Sequence, residues 1–485
     1  MNEFRLVSYT TGLLCFSLSM LMLAPAAVDA YAGNPDWRAF IASAVFTGLV
    51  GGALALGGTR EGAPSEQMST QQAFLIVVVS WVLLPFFGAL PFAFGSDQIR
   101  FLDALFESVS GMTTTGATTF TSLEYLPPGV LLWRALLQWI GGLGIVLFAL
   151  VFLPMLRIGG MQLFRSESLD SEGSLLVRFR DIAPTILALY LVMTSLCALF
   201  YRFFGMPGFD AVCNAMTTIA TGGFATQDSS FARYSSGAQI TCIVFMLAAC
   251  LPFLRYVELF NLQLFRFHTD PQIRGFAAVI FAAITLVSYA RMRSTPDLEL
   301  GQAVLQSAFS SVSIITGSGF ATTDYSDWGS QFLIFFFVMM LIGGCAGSTT
   351  CSVKIFRYQV LGLLAFGELQ RMRRPSRVII LRFGGRPLSP DIAASVVTFF
   401  FLFFASLLVF TVALILTGED LITSISGAAS ALANVGPGLG PKIGPVGSYR
   451  AVNDGGKIVL MLAMLLGRLE LLSVFILLTP GFWRS

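Results

Sequence analysis

Thr113-Thr114-Thr115-Gly116-Ala117-Thr118 is the stretch on which the fold of this chain turns, because three counterparts follow it. They are Thr221-Gly222-Gly223-Phe224-Ala225, Gly317-Ser318-Gly319-Phe320-Ala321 and Asn434-Val435-Gly436-Pro437-Gly438, with central glycines 107, 96 and 117 residues apart. Thirteen residues before each glycine stands Asp103, Asp210, Gln306 or Thr423, opening an alanine- and serine-rich stretch. A long repeat with one glycine held in every copy predicts a symmetric object around an axis. Inside a membrane, a ring of four backbone loops is a way to hold a bare cation.

The surroundings of the loops are membrane material. Mean hydropathy is +0.78, and of 485 residues 55% are hydrophobic and only 12% charged. No long polar region exists to cover several soluble cores. Apolar windows of about 20 residues fall near 7–31, 36–57, 73–95, 129–156, 182–204, 236–265, 273–291, 329–362, 392–417 and 455–479. The first is too long for a signal-peptide core and has little charge before it, so it reads as a retained span. A glycine loop lies between spans three and four, five and six, seven and eight, and nine and ten. The expected fold is therefore an all-α polytopic membrane protein with ten transmembrane helices. Two extra helices occupy 1–66, and four pseudo-symmetric units of span, short helix, loop and span occupy 67–165, 166–268, 269–375 and 376–485.

Positive charge sets the orientation. One joint between units carries Arg157, Arg165, Arg178 and Arg180, and another carries Lys354, Arg357, Arg371, Arg373, Arg374, Arg377, Arg382 and Arg386. Both termini are then cytoplasmic, and the loops enter from the outer face. The basic run 371–386 is either this topology signal alone or a docking surface for an acidic or regulatory partner.

Irregular backbone survives at membrane depth only when buried in protein or lining a wet cavity. The helical stretches before the loops are too short to span, and their C-terminal ends carry partial negative charge that favours a cation. Glycine permits the backbone angles that turn successive carbonyls inward. The candidate ion-binding backbone is thus Thr114, Thr115 and Gly116; Thr221, Gly222 and Gly223; Gly317, Ser318 and Gly319; and Asn434, Val435 and Gly436. These positions hold no carboxylate, which suits a weakly hydrated monovalent ion better than calcium or magnesium. Asp103, Glu107 and Asp210 either concentrate cations at the mouth or merely charge helix N-termini. Close helix packing explains Gly141-Gly142-Leu143-Gly144 and the glycines from Gly48 to Gly58, but not four copies in matching positions. One histidine, His268, and seven cysteines without paired spacing argue against a metal or redox centre; Cys197, Cys213, Cys242 and Cys250 read as apolar filler.

Two further sites are legible. Small and polar residues from Gly343 to Ser352, followed by Lys354, interrupt the eighth span and imply broken helix facing a pore, or else a kinked packing interface. Arg468 sits in the last span, where a charge costs at least ~2.5 kcal/mol and faces an interior or aqueous path. It either lines the pore or forms an ion pair, with Glu470 or another helix; two residues apart on a helix, those two point to different faces. Arg255 and Glu258, three apart, can pair.

Together these motifs, with Ile342 to Thr349 and the closing Gly467-Arg468-Leu469-Glu470, resemble the Trk/Ktr/HKT superfamily of potassium transporters, and most the TrkH/TrkG branch, over nearly the whole chain. The resemblance implies a low-affinity potassium uptake subunit of a bacterial inner membrane, not an enzyme, with four span–pore helix–span units around one pore. It implies a homodimer with a pore in each protomer, and a cytoplasmic nucleotide-binding, TrkA-like regulatory partner. It assigns gating to Gly343, Gly344, Gly347, Ser348, Thr349, Thr350, Cys351, Ser352 and Lys354 below the filter, with Arg468 beside them. Where relatives carry several glycines, this chain has Thr350, Cys351 and Ser352, which bears on how the loop moves.

The resemblance implies potassium as the cargo, and no organic cofactor or nucleic acid is expected. No Walker motif is present, so nucleotide responses belong to a separate subunit. A sodium-permeable or cation-coupled symporter of the same fold is the alternative. An alternating-access carrier would show two related halves rather than four quarters, and an intramembrane enzyme lacks its residues.

Overall fold

A computed structural model describes residues 3–58, 69–96, 99–151, 175–260, 268–376, 379–480 and 482. Arg157, Arg165 and Arg377 lie outside the described residues. The chain is predominantly helical, and seven helices are long and apolar enough to cross a membrane: Phe4–Tyr31, Trp37–Gly58, Gln71–Phe94, Pro128–Phe148, Ala183–Phe203, Pro271–Ser294 and Pro390–Leu416.

The other three expected spans are broken, as the small and polar residues of the eighth imply and as a correction to the sixth and tenth, which read as continuous. The sixth stops at Ala249 and restarts at Phe253, because Pro252 has no N–H to offer the preceding turn. The eighth stops at Met340, passes through an irregular segment, and resumes as Ile355–Arg373. The tenth ends at Arg468 and resumes only as the short turn Leu472–Phe475, with Glu470 at φ 57° between them.

The all-α expectation needs a second, small correction. Ile342–Gly343 pairs in parallel with Val353–Lys354, which pins the ends of the irregular segment together. Arg382–Phe383 and Arg386–Pro387 form an antiparallel hairpin inside the basic run, turned by Gly384 and Gly385 at φ 58° and 83°.

Four short helices precede the glycine loops: Phe101–Met112, Gly208–Ile219, Leu300–Ile315 and Leu421–Ala433. A 12-residue helix such as Phe101–Met112 is ~18 Å long, against a hydrocarbon core of ~30 Å. Their packing repeats. Each lies between the helices that flank it in sequence and also touches the second of the flanking helices of the preceding unit. Gly208–Ile219 meets Pro128–Val151, Leu300–Ile315 meets Ser236–Ala249, and Leu421–Ala433 meets Ser330–Met340. Phe101–Met112 closes the circuit against Asp454–Arg468, from the last unit.

The N-terminal helices form an outer pair held by close backbone approach. A Cβ on Gly12, Gly51 or Gly58 would overlap backbone atoms of the partner helix, whereas Gly52 and Gly57 face open space. The buried Asp29 carboxylate accepts from Gly129 N–H at 2.6 Å and ties this pair to the first unit.

Candidate functional site

All four short helices end alike. Within two residues of each helix end, Thr114, Thr221, Gly317 or Asn434 takes φ of 52°, 50°, 70° or 53°. The following N–H, on Thr115, Gly222, Ser318 or Val435, donates to the carbonyl of Ser110, Thr217, Ser313 or Ser430 at 2.9 Å in every copy. The left-handed residues themselves donate to Gly111, Thr218, Ile314 and Ala431. These paired bonds are the Schellman ending of a helix, which satisfies its last carbonyls. For threonine, the left-handed state is a true outlier, costing about 1–2 kcal/mol, and such strain gathers at functional sites. The backbone returns to positive φ at Gly116, Gly223, Gly319 and Gly436, at 84°, 81°, 74° and 105°.

The loops meet in a closed ring. A Cβ on Gly116 would strike the carbonyl oxygen of Gly222; on Gly223, that of Ser318; on Gly319, that of Val435; and on Gly436, that of Thr115. Glycine is therefore required by backbone angle and by the neighbouring chain at once. All four glycines line one cavity of about 300 Å3, together with Thr118 and Arg134. Thr113 and Thr115 share a hydroxyl hydrogen bond of 2.7 Å, as Thr316 and Ser318 do at 3.0 Å. Asn434 Nδ2 donates to Thr115 Oγ1 at 2.9 Å and to the Met464 carbonyl at 3.0 Å, joining the fourth loop to the first.

Two loop carbonyls are also engaged from behind. Gln138 Nε2 donates to Gly222 O at 2.5 Å while its Oε1 accepts from Phe224 N–H at 3.0 Å. The Tyr449 hydroxyl donates to Gly436 O at 2.8 Å. A carbonyl oxygen has two lone pairs, so one remains on each for an ion. Gln138 and Tyr449 had no part in the sequence reading. A glutamine within Ala135-Leu136-Leu137-Gln138-Trp139 was the available signal for the first.

The carboxylates near the mouth are all occupied. Glu107 is fully buried, pairs with Arg134 at 2.8 Å, and accepts from Thr118 Oγ1 and Thr119 N–H at 2.9 and 2.8 Å. Arg134 lies over the Phe224 ring at 4.2 Å and donates to Ala225 O at 3.0 Å. Asp103 pairs with Lys457 at 2.6 Å and Arg100 at 3.1 Å, and Asp210 accepts from the Tyr234 hydroxyl at 3.2 Å. Outside the apolar helices, Arg100 also pairs with Asp454 and holds that carboxyl below the usual carboxylate range.

Beneath the ring, the breaks in the sixth, eighth and tenth spans converge. Phe253 N–H donates to Gly347 O at 2.9 Å and Cys345 N–H to Cys250 O at 3.1 Å. Thr349 Oγ1 bonds Ala249 O at 3.1 Å and Thr221 Oγ1 at 3.2 Å, so the segment touches the second glycine loop directly. Ser348 and Thr350 share a hydroxyl bond at 2.7 Å, and Lys354 donates to Thr350 O. Gly343 and Gly344 sit tightly against Cys351 and Thr350. Ser352 holds φ 61° and Gly347 φ 75°, so one replaced glycine position keeps a glycine-like backbone. Outside this segment, Gln272 Oε1 accepts from Ala346 N–H at 2.9 Å.

Arg468, 1% exposed, donates to Gly141 O at 2.9 Å, Thr349 O at 3.4 Å and Cys351 Sγ at 2.5 Å. It makes no ion pair among the described residues. Glu470 instead pairs with Arg357 at 2.5 Å, which lies over Phe399 at 3.6 Å. Arg255 does pair with Glu258, at 2.5 Å, and also with Asp270 at 2.9 Å.

Comparison with known proteins agrees across the whole length. The TrkH family model, described as a cation transport protein, matches residues 38–482. The Trk system potassium uptake protein TrkI of Halomonas elongata is 40% identical over 417 residues, covering 85% of this chain and 84% of that one. The TrkH protein of Escherichia coli strain K12 is 33% identical over 488 residues, with 100% of both chains covered. The crystal structure of the potassium transporter TrkH from Vibrio parahaemolyticus matches with a TM-score of 0.90 at 33% identity, over 99% of each chain. This chain belongs to the TrkH family of cation transport proteins.

Proposed function

We propose that the chain carries potassium across the bacterial inner membrane through a single pore at the centre of the four loops. The observation that carries this reading is that Gly116, Gly223, Gly319 and Gly436 all line one cavity. Main-chain oxygens of residues 114–116, 221–223, 317–319 and 434–436 take the place of water around the ion. The four units 67–165, 166–268, 269–375 and 376–485 each supply one loop, and the helices before residue 67 stand outside them. Ten membrane crossings, three of them broken, follow from this arrangement, with both termini cytoplasmic. Potassium rather than another cation is supported by the relatives aligned over the full length, which are Trk system potassium uptake proteins.

Residues 343–354 act as the gate, with Arg468 placing a positive charge beneath the filter that opposes ion passage until the segment moves. The chain then acts as a low-affinity uptake subunit that pairs as a homodimer and is opened by a TrkA-like nucleotide-binding partner, a reading that rests on the resemblance to Trk systems. Sodium permeation and coupling to a second cation belong to the same test. Reversal potentials across membranes reconstituted with the chain, under opposed potassium and sodium gradients, are expected near the potassium equilibrium value. A potential that follows sodium, or is set by proton gradients, overturns the potassium-selective pore.

A further inference from the structure

Below the gating segment lies an enclosed cavity of about 20 Å3, lined by Ser348, Thr350, Cys351, Lys354, Arg468 and Glu470 with apolar neighbours. That volume holds one water-sized particle or small ion. Around it the charges do not balance. Lys354, Arg357 and Arg468 are 4%, 0% and 1% exposed, and against them the described residues set one carboxylate, Glu470, already paired with Arg357 at 2.5 Å. Lys354 is satisfied only by the backbone oxygen and hydroxyl of Thr350. Arg468 spends its terminal nitrogens on carbonyls and on Cys351 Sγ, and its Nε is buried with no hydrogen-bond partner. A buried charge without a counter-charge is strongly unfavourable, and a buried donor without an acceptor adds to that.

We propose that this cavity binds a small monovalent anion, a halide, which in the cell is chloride. The donors on its wall are the orphaned Arg468 Nε–H and the Lys354 ammonium, beside the Ser348–Thr350 hydroxyl pair, whose hydrogens are engaged with Cys345 O and each other, and the Arg357-paired Glu470 carboxylate. Phosphate and sulfate are too large for the space. A halide here bridges the gating segment, through Lys354, to Arg468 on the last long helix. It therefore belongs to the closed arrangement and leaves when the segment moves away from Arg468. The regulatory consequence rests on the potassium-pore reading above; the site itself does not. By linkage, a ligand of the closed state lowers the open fraction as its concentration rises.

The test uses the purified full chain without its partner. Crystals grown in potassium bromide are expected to give an anomalous peak in this cavity. Thermal unfolding in potassium chloride is expected about 2 °C above that in potassium gluconate at equal ionic strength. Arg468→Gln and Lys354→Met should each lose that increment, while Arg100→Ala, outside the cavity, keeps it. No bromide peak in the cavity, together with equal melting in the two salts, overturns the proposal, as does a peak confined to other places. If an Arg468 variant fails to fold, the wild-type diffraction measurement still decides. Potassium-selective flux with an empty cavity would sink the halide site alone. A bound halide with sodium-driven reversal potentials would sink the pore reading alone.

Discussion

At Gly223, two requirements coincide on one atom that is missing. Its φ of 81° is one that a side chain reaches only at a cost of about 1–2 kcal/mol, and a Cβ there would enter the Ser318 carbonyl. The Gly223→Ala substitution is therefore expected to displace the third loop and cut potassium uptake at least tenfold. Rubidium influx in potassium-uptake-deficient cells measures this, with membrane-extracted protein checked for a normal amount. Glu107 carries a second residue-scale prediction. Its exchange to glutamine leaves Arg134 without its counter-charge in a buried site, a loss of about 3–5 kcal/mol. The expected readout is loss of the monodisperse peak in size-exclusion chromatography. Arg100→Ala serves as contrast, because that side chain is 59% exposed and solvent screens exposed pairs until they contribute little.

At the scale of elements, the sequence revealed the helices and one of their three interruptions, the small and polar run from Gly343 to Ser352. A hydropathy window averages over about 20 residues, so the breaks at Pro252 and after Arg468 vanish into the apolar runs around them. The four loops were legible because their central glycines combine a positive φ with a neighbouring carbonyl that leaves no room for a Cβ. The pairings between loops were not, because Asn434 reaching Thr115 or Gln138 reaching Gly222 depends on contacts far apart in the chain. Arg468 was singled out by its charge, yet its partners, carbonyls of Gly141 and Thr349, lie far from it in the chain. One inter-element contact yields a prediction. Gln272, at the start of helix Pro271–Ser294, caps the Ala346 N–H of the gating segment. Gln272→Ala removes that acceptor, and a buried N–H left alone costs about 1–3 kcal/mol. The closed segment is the state destabilised, so basal potassium leak without the regulatory partner should rise several-fold. Flux from liposomes loaded with potassium measures it, and an unchanged leak would count against Gln272 as a brace of the gate.

At the scale of the whole molecule, the four short helices pack on one another's neighbours in a closed circuit among the described residues, with the N-terminal helical pair beside it. Gly51 lets that pair pack closely, since a Cβ there would overlap the backbone of Phe16. Gly51→Leu is expected to lower the melting temperature by several degrees through forced separation of the two helices. Potassium-to-sodium selectivity per folded molecule should not change, because residues 3–58 contribute nothing to the cavity at the centre. Parallel measurement of melting and reversal potential separates the two effects. The closed circuit of contacts has a further consequence. Because one polypeptide supplies all four quarters, every substitution enters the ring once rather than four times. Each quarter is therefore free to acquire its own support, as Gln138 has behind one loop and Tyr449 behind another, and evolution can adjust a coordinating position in single steps that a symmetric tetramer would have to take fourfold.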